Sequence, residues 1–196
     1  LDQFKMSRDF LYMVDGPVNM VRLNELIDIA SKPAYRFPPF APKLSVPMTE
    51  GDLFLRIARE DVLLHHPYQS FQPVIDFIRA AAHDPAVVAI KQTIYRTGMN
   101  SELMEALIAA AQNGKEVTVV VELMARFDEA ANIALATLLQ EAGAHVMYGV
   151  VGFKTHAKLL LVTRREPGAR GQQTLRRYAH LSTGNYNPST ARLYTD

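Results

Sequence analysis

Between residues 86 and 162 the chain alternates short β-branched runs with helical stripes, and that alternation restricts its fold more than any other feature. Ala86–Tyr95 is a largely apolar run suited to a buried strand. Leu103, Met104, Leu107, Ile108 and Ala111 then recur at helical spacing, with Asn100 or Ser101 to cap the helix and Gly114 to end it. Val117–Val121 is a second strand. Asp128 can cap a second helix, expected to turn Ile133, Leu138 and Leu139 inward and to stop at Gly143. Ala144–Tyr148 makes a third strand, and the apolar run from Lys154 to Val162 a fourth. Strand, helix, strand, helix, strand implies an α/β fold with parallel strands and right-handed crossovers. In such sheets function gathers at the carboxyl ends of strands. Tyr95-Arg96 ends the first strand and Ala125-Arg126 follows the second, an order that would let both arginines converge on one edge.

Upstream the pattern is looser. In 18–30, Met20, Leu23, Ile27 and Ala30 share a helical face. Pro33, Pro38, Pro39, Pro42 and Pro47 follow, and proline removes donors and restricts φ, so this stretch reads as an extended linker. Two parts are expected, 1–47 and 48–196. Residues 51–60 suit a short helix, and LLHHPYQSF (63–71) is a loop opening onto an amphipathic segment over 72–82. The chain opens with Leu1 and stops at Thr195-Asp196, which suggests a piece of something longer.

Charge adds a functional hint. Residues 1–150 balance at −5, whereas 151–196 hold eight Lys/Arg against two Asp/Glu, a balance of +6. Clustered positive charge concentrates anions, so a polyanionic partner fits; a solvated basic hairpin fits equally well on charge alone. EPGARGQQTLRR (166–177) reads as a long, solvent-exposed hairpin tip. The absence of cysteine excludes disulfides and thiolate metal sites and suits a reducing cytoplasm. No apolar run approaches the roughly 18 residues of a membrane span.

Within the basic third, His156 and Lys158 stand two residues apart and fall on one face if their run is a strand. A neutral imidazole is a good nitrogen nucleophile near pH 7, and an ammonium beside it neutralises phosphate oxygens. A small, amide-rich loop, Thr183-Gly184-Asn185-Tyr186-Asn187, follows further on. A lone histidine at a strand end is as often simply bonded to backbone, so the pair gains weight only from its neighbours. His65, His66, His83, His145 and His180 are read as structural; the adjacent rings of His65-His66 cannot both face one metal on a strand.

Several long blocks carry a family resemblance. AIKQTIYR (89–96), VVVELMARFDE (119–129), KTHAKL (154–159), YAHLSTGNYN (178–187) and TARLYTD (190–196), with LLHHPYQSF and DGPVNM, resemble successive blocks of the polyphosphate kinases, the long ATP-dependent type with phospholipase D-like catalytic domains. The resemblance implies a phospholipase D-like mixed sheet flanked by helices, preceded by the tail of an α+β head domain. It implies reversible transfer of the terminal phosphate of ATP, through a phosphohistidine, to inorganic polyphosphate.

Roles follow residue by residue as implications of that resemblance. The phosphorylated nucleophile falls on His156. The two arginines of the magnesium–polyphosphate site fall on Arg96 and Arg126, and the nucleotide-contacting tyrosine on Tyr194. Lys158, Asn185 and Asn187 take positions that hold phosphate oxygens in phospholipase D-like enzymes. Guanidinium does not ligate Mg2+ directly, so a metal at Arg96 and Arg126 is expected to be held through phosphate oxygens and water. Where the broader superfamily has an aspartate after the lysine, this chain has Thr163, and the second His-x-Lys half is absent. ATP or ADP, Mg2+, polyphosphate, the second catalytic half of the same polypeptide and a homo-oligomeric parent are the implied ligands and partners, with no nucleic acid. The implied location is the cytoplasm, with membrane association through partners. A phospholipase D-like phosphodiesterase and a non-catalytic polyanion-binding module stand as alternatives.

Overall fold

The computed structural model describes residues 2–29, 32–43, 53–95, 101–122, 129–149 and 152–196. Two compact units separate at Phe40/Ala41. In the first, a 3-10 stretch over Met20–Asn24 runs into a short helix, α1 (Glu25–Ile29). The apolar face expected there is not buried within this unit: Met20, Leu23 and Ile27 are at least half exposed. A 3-10 turn repeats every three residues, so it cannot keep a 3.6-residue stripe in register. Ala30 lies outside the described residues.

The second unit carries the sheet. Its helices among the described residues are α2 (Leu53–Arg59), α3 (Gln72–His83), α4 (Glu102–Gln112) and α5 (Glu129–Glu141). Its strands are β1 (Val87–Ile94), β2 (Glu116–Val121), β3 (His145–Met147), β4 (Lys158–Pro167) and β5 (Gln173–Ser182). They lie in the order β3-β2-β1-β4-β5. β1, β2 and β3 are parallel, as the alternation predicts, while β4 runs antiparallel to β1 and β5 antiparallel to β4. The fold is therefore α/β with a mixed sheet.

One face of the sheet forms the core. Ile90 pairs with Val117 and Val162, and Ile94 with Val121, so all these side chains meet the helices on one side and are buried. Leu103, Met104, Leu107 and Ala110 of α4 close against them. Each large side chain so buried contributes about 1.5–3 kcal/mol. On the opposite face Lys91, Met147, Leu175 and Leu181 are exposed. Ser101, rather than Asn100, is the observed cap of α4: its hydroxyl accepts from the Met104 amide at 3.3 Å. Asn100 and Asp128 lie outside the described residues. Gly114 and Gly143 follow α4 and α5 with φ of +78° and +94°, the left-handed conformation that ends a helix at little cost to glycine.

The phase of α5 differs from expectation. Leu135, Ala136 and Leu139 are buried with Asn132, whereas Ile133 and Leu138 are exposed. Asn132 takes an inward position because its amide donates to the Glu122 carbonyl at 3.0 Å, so a polar residue belongs to the buried stripe.

The hairpin differs too. β4 and β5 stay paired out to Pro167 and Gln173, leaving a tip of only five residues where twelve were expected. Ion pairing holds the strands at that end. Arg164 bonds Asp84 at 2.7 Å and Glu166 at 3.1 Å, Arg176 approaches Glu166 at 3.6 Å, and the Tyr178 hydroxyl donates to Glu166. Burial opposes ionisation of Glu166, but the Tyr178 hydrogen bond and the two guanidinium groups hold its carboxyl below the usual range. Two of the basic residues in 151–196 are thus already engaged by acids.

Candidate functional site

At the other end of the hairpin, β4 begins with Lys158, and His156 precedes the strand. The pair does not behave as two neighbours on one strand face. His156 is exposed, whereas Lys158 is only 4% exposed. The reason is local. The Thr155 amide donates to a carboxylate oxygen of Glu122 at 2.7 Å, so the backbone is drawn toward the end of β2 before it can join the sheet. Glu122 is itself buried, with its amide on the Ile94 carbonyl at 3.1 Å and its carbonyl on Asn132. One rung further on, the Thr93 hydroxyl accepts from the Leu159 amide at 2.9 Å and so starts the β1–β4 pairing.

His156 and Lys158 nevertheless meet. The Lys158 ammonium donates to the His156 carbonyl at 2.7 Å and stands 5.0 Å from the centre of the Tyr95 ring. The His156 imidazole meets the same ring edge-to-face, with centres 5.4 Å apart and planes at 73°. Burial lowers the pKa of Lys158, and the charge of Asp196 partly offsets that. Glu122 and Tyr95 are the site residues that sequence reasoning missed. The signal for Glu122 was a charge at the end of the apolar run Val117–Val121, and for Tyr95 an aromatic ring beside Arg96 at a strand end.

Pairing of Lys158 with Ser182 brings the loop after β5 to the same edge. Asp196 organises that loop. Its carboxylate accepts from the Thr183 amide at 2.9 Å and from the hydroxyls of Ser182 and Thr183, while its backbone pairs with that of His66. Burial pushes the Asp196 carboxyl upward, but these hydrogen bonds prevail and hold it at about 2. Tyr194 is half-buried against the loop. Its hydroxyl donates to the Asn185 carbonyl at 3.0 Å, and burial raises its pKa to about 12. A Cβ on Gly184 would lie 2.1–2.4 Å from two ring carbons and the hydroxyl oxygen of Tyr194, so any larger residue there would have to displace that ring. The Asn187 side-chain oxygen accepts from the Ser189 and Thr190 amides at 2.9 and 3.3 Å, in the bend that leads into the turn over Thr190–Arg192. An anion at Asn187 would have to use its amide nitrogen.

The edge therefore gathers His156, Lys158, Asn185, Asn187 and Tyr194. Arg96 and Arg126 lie outside the described residues. Thr163 pairs with Arg177 and Ala89, five residues up the strand from Lys158. No group of three or more His, Asp or Glu suited to hold a metal occurs among the described residues. Two carboxylates at this edge among the described residues are bound to protein donors, Glu122 to the Thr155 amide and Asp196 to the loop. This donor set does not fit direct ligation of Mg2+. His66 is buried and bonded through Nδ1 to the Gln69 carbonyl at 2.9 Å, in keeping with a structural role.

His180 is also structural, and it makes the fold sensitive to acid. Its Nδ1 lies 2.9 Å from the Tyr186 hydroxyl, and burial, with a smaller push from His66, lowers its pKa to about 4. The folded state then binds fewer protons than the unfolded one between about pH 6.5 and 4. Stability should be full above about pH 6.5 and fall by roughly 3 kcal/mol as the pH drops to 4. Thermal unfolding across this range, for wild type and His180→Gln, checks it: the variant should show the flatter profile.

Comparison with known proteins agrees with this geometry. Residues 52–196 match the family model described as polyphosphate kinase C-terminal domain 1. The whole chain aligns with the polyphosphate kinase of Neisseria meningitidis at 57% identity and with that of Pseudomonas aeruginosa at 56%. In each case it spans 28% of the relative's length. Among solved structures, the polyphosphate kinase of Porphyromonas gingivalis superposes on 97% of this chain and 32% of its own, with a TM-score of 0.65 and 34% identity. A mixed sheet, a family model matching residues 52–196 and relatives that align along the whole of this chain agree: the chain belongs to the polyphosphate kinase family.

Proposed function

We propose that the chain forms the phosphate-accepting half of an ATP:polyphosphate phosphotransferase, with His156 as the residue that carries the phosphate. The observation that supports this most is an exposed imidazole beside a buried ammonium at one sheet edge, in a chain of this family. A ring nitrogen of neutral His156 attacks the terminal phosphorus of ATP. The N–P bond forms as the bond to the bridging oxygen breaks, and ADP leaves with that electron pair. The phosphoramidate then passes its phosphoryl group to the terminal oxygen of polyphosphate, and the reverse sequence regenerates ATP. A high-energy N–P adduct makes both directions accessible.

Lys158 neutralises phosphate oxygens, Asn185 and Asn187 offer amide donors to them, and Tyr194 contacts the nucleotide. Magnesium arrives on the phosphates, as part of the substrate. Arg96 and Arg126 grip the polyphosphate by bidentate hydrogen bonds. The second catalytic half of the parent completes the site, in a homo-oligomeric cytoplasmic enzyme. Among the described residues no helix is long and apolar enough to cross a membrane.

The test is labelling of the full-length protein with γ-phosphate-labelled ATP. An acid-labile phosphohistidine that chases into polymer supports the kinase. No labelling by ATP would leave the phosphodiesterase and the binding module, which hydrolysis of a phosphodiester substrate then tells apart. For the arginines, Arg96→Lys and Arg126→Lys retain charge but lose the fork, so polymer synthesis should fall at least about tenfold in each, roughly 1.4 kcal/mol. Steady-state rates at saturating ATP check this, and normal rates in both would reduce the arginines to a structural role.

A further inference from the structure

Tyr95 has no part in the chemistry just described, yet it touches both residues that do. It lies one position beyond β1, where that strand runs alongside the start of β4. Its half-buried ring meets the His156 imidazole edge-to-face at 5.4 Å and lies 5.0 Å beneath the Lys158 ammonium. The backbone reinforces that arrangement: the Thr93 hydroxyl, two residues earlier, binds the Leu159 amide, and Glu122 holds Thr155 on the other side of His156.

We propose that Tyr95 is a positioning residue for phosphoryl transfer, its ring serving as one platform that orients the His156 imidazole and keeps the Lys158 ammonium beside it. The proposal rests on the reading of His156 as the phosphate acceptor. His156 needs such a support because its side chain is exposed and precedes the strand. An edge-to-face contact lets the electron-rich face of one ring meet the positive edge of the other and selects a narrow range of imidazole orientations. The ammonium faces a different problem. Burial disfavours its charge, the His156 carbonyl satisfies one of its three N–H bonds, and Asp196 supplies an opposite charge from the end of the β5 loop. A ring face is attractive to a cation without taking up its N–H bonds, so the remaining donors stay available to phosphate oxygens. The work is done by the ring and not by the hydroxyl.

That distinction supplies the experiment. In the full-length protein, the single-turnover rate of phosphohistidine formation from γ-labelled ATP is measured for Tyr95→Phe and Tyr95→Leu, together with the KM for ATP. Phenylalanine retains the ring and should react within about threefold of wild type. Leucine fills similar space without a π face and should slow phosphohistidine formation at least about tenfold, with the KM for ATP changed less than about twofold. A leucine variant as fast as wild type would overturn the proposal. So would a phenylalanine variant as slow as leucine, since the hydroxyl would then be what matters; this variant loses only one oxygen and tests the idea even where leucine disturbs folding. A His156→Ala control separates this outcome from the nucleophile assignment: label that persists in the control sinks that assignment, whereas label lost there but normal in Tyr95→Leu sinks only the role of Tyr95.

Discussion

His156→Ala in the full-length protein is expected to abolish both phosphoenzyme and polymer while leaving the fold unchanged. The imidazole is exposed and precedes β4, so its removal takes nothing from the core formed by Ile90, Val117, Leu160 and Val162. The backbone around it is held by other groups, through the Thr155–Glu122 and Leu159–Thr93 contacts. Chemically the loss should be total, because no other histidine is equivalent. His66 is buried against the Gln69 carbonyl, and burial holds His180 neutral beside Tyr186. A covalent intermediate cannot be rescued by the remaining positive groups, which stabilise a transition state that no longer has a nucleophile. Labelling with γ-labelled ATP, alongside a thermal melt, reads both halves of the expectation. Undiminished labelling would refute the assignment, and a lowered melting temperature would show that the edge is more structural than its exposure suggests.

The second large effect concerns the chain by itself. Expressed alone, it should make no polymer and should bind polyphosphate only weakly and in a salt-sensitive way. Transition-state stabilisation in phosphoryl transfer depends on several charged and hydrogen-bonding groups around one phosphorus, and this chain carries one His-x-Lys half. Affinity for a polyanion should persist on a reduced set of side chains. Arg164 and Arg176 are bound to Asp84 and Glu166, which leaves Lys154, Arg165, Arg177 and Arg192 as the exposed cations without such an acid partner among the described side chains of the basic third. Exposed charges of this kind are screened over about 8–10 Å in ordinary salt. Binding should therefore weaken sharply between low and physiological ionic strength, and Arg165→Gln with Arg177→Gln should lower it further, whereas Arg176→Gln should not. Robust polymerisation by the isolated chain, or binding indifferent to salt, would contradict this account.

Much of the sheet could be read from the chain because β1, β2 and α4 are locally consistent: β-branched runs, a regular stripe and a capping serine all point one way. What escaped was set by partners distant in sequence. The phase of α5 follows Asn132, whose hydrogen bond to Glu122 outweighs the apolar pull of Ile133 and Leu138. His156 leaves the strand because a carboxylate 33 residues earlier takes the Thr155 amide. The hairpin extends past its expected limit because Asp84, at the end of α3, reaches Arg164 across 80 residues. The His-x-Lys pair itself was legible, since two residues so close in sequence need no tertiary knowledge to be put together. Their shared contact with Tyr95 was not, because nothing in the spacing of 95, 156 and 158 reveals it.

The glycine under Tyr194 has a wider consequence. Tyr194 sits on Gly184, its hydroxyl holds the carbonyl of Asn185, and Asp196 binds Ser182 and Thr183 just before them. On the proposed roles of Tyr194 as nucleotide contact and of Asn185 and Asn187 as phosphate donors, the parts that choose a base and the parts that grip its phosphates belong to one moulding. Such an enzyme cannot trade one nucleotide for another by a lone exchange at residue 194, since the same exchange loosens the grip on every phosphate. A change of diet would have to come from outside this segment, and the segment itself should drift slowly even where the nucleotide supply of its host has changed.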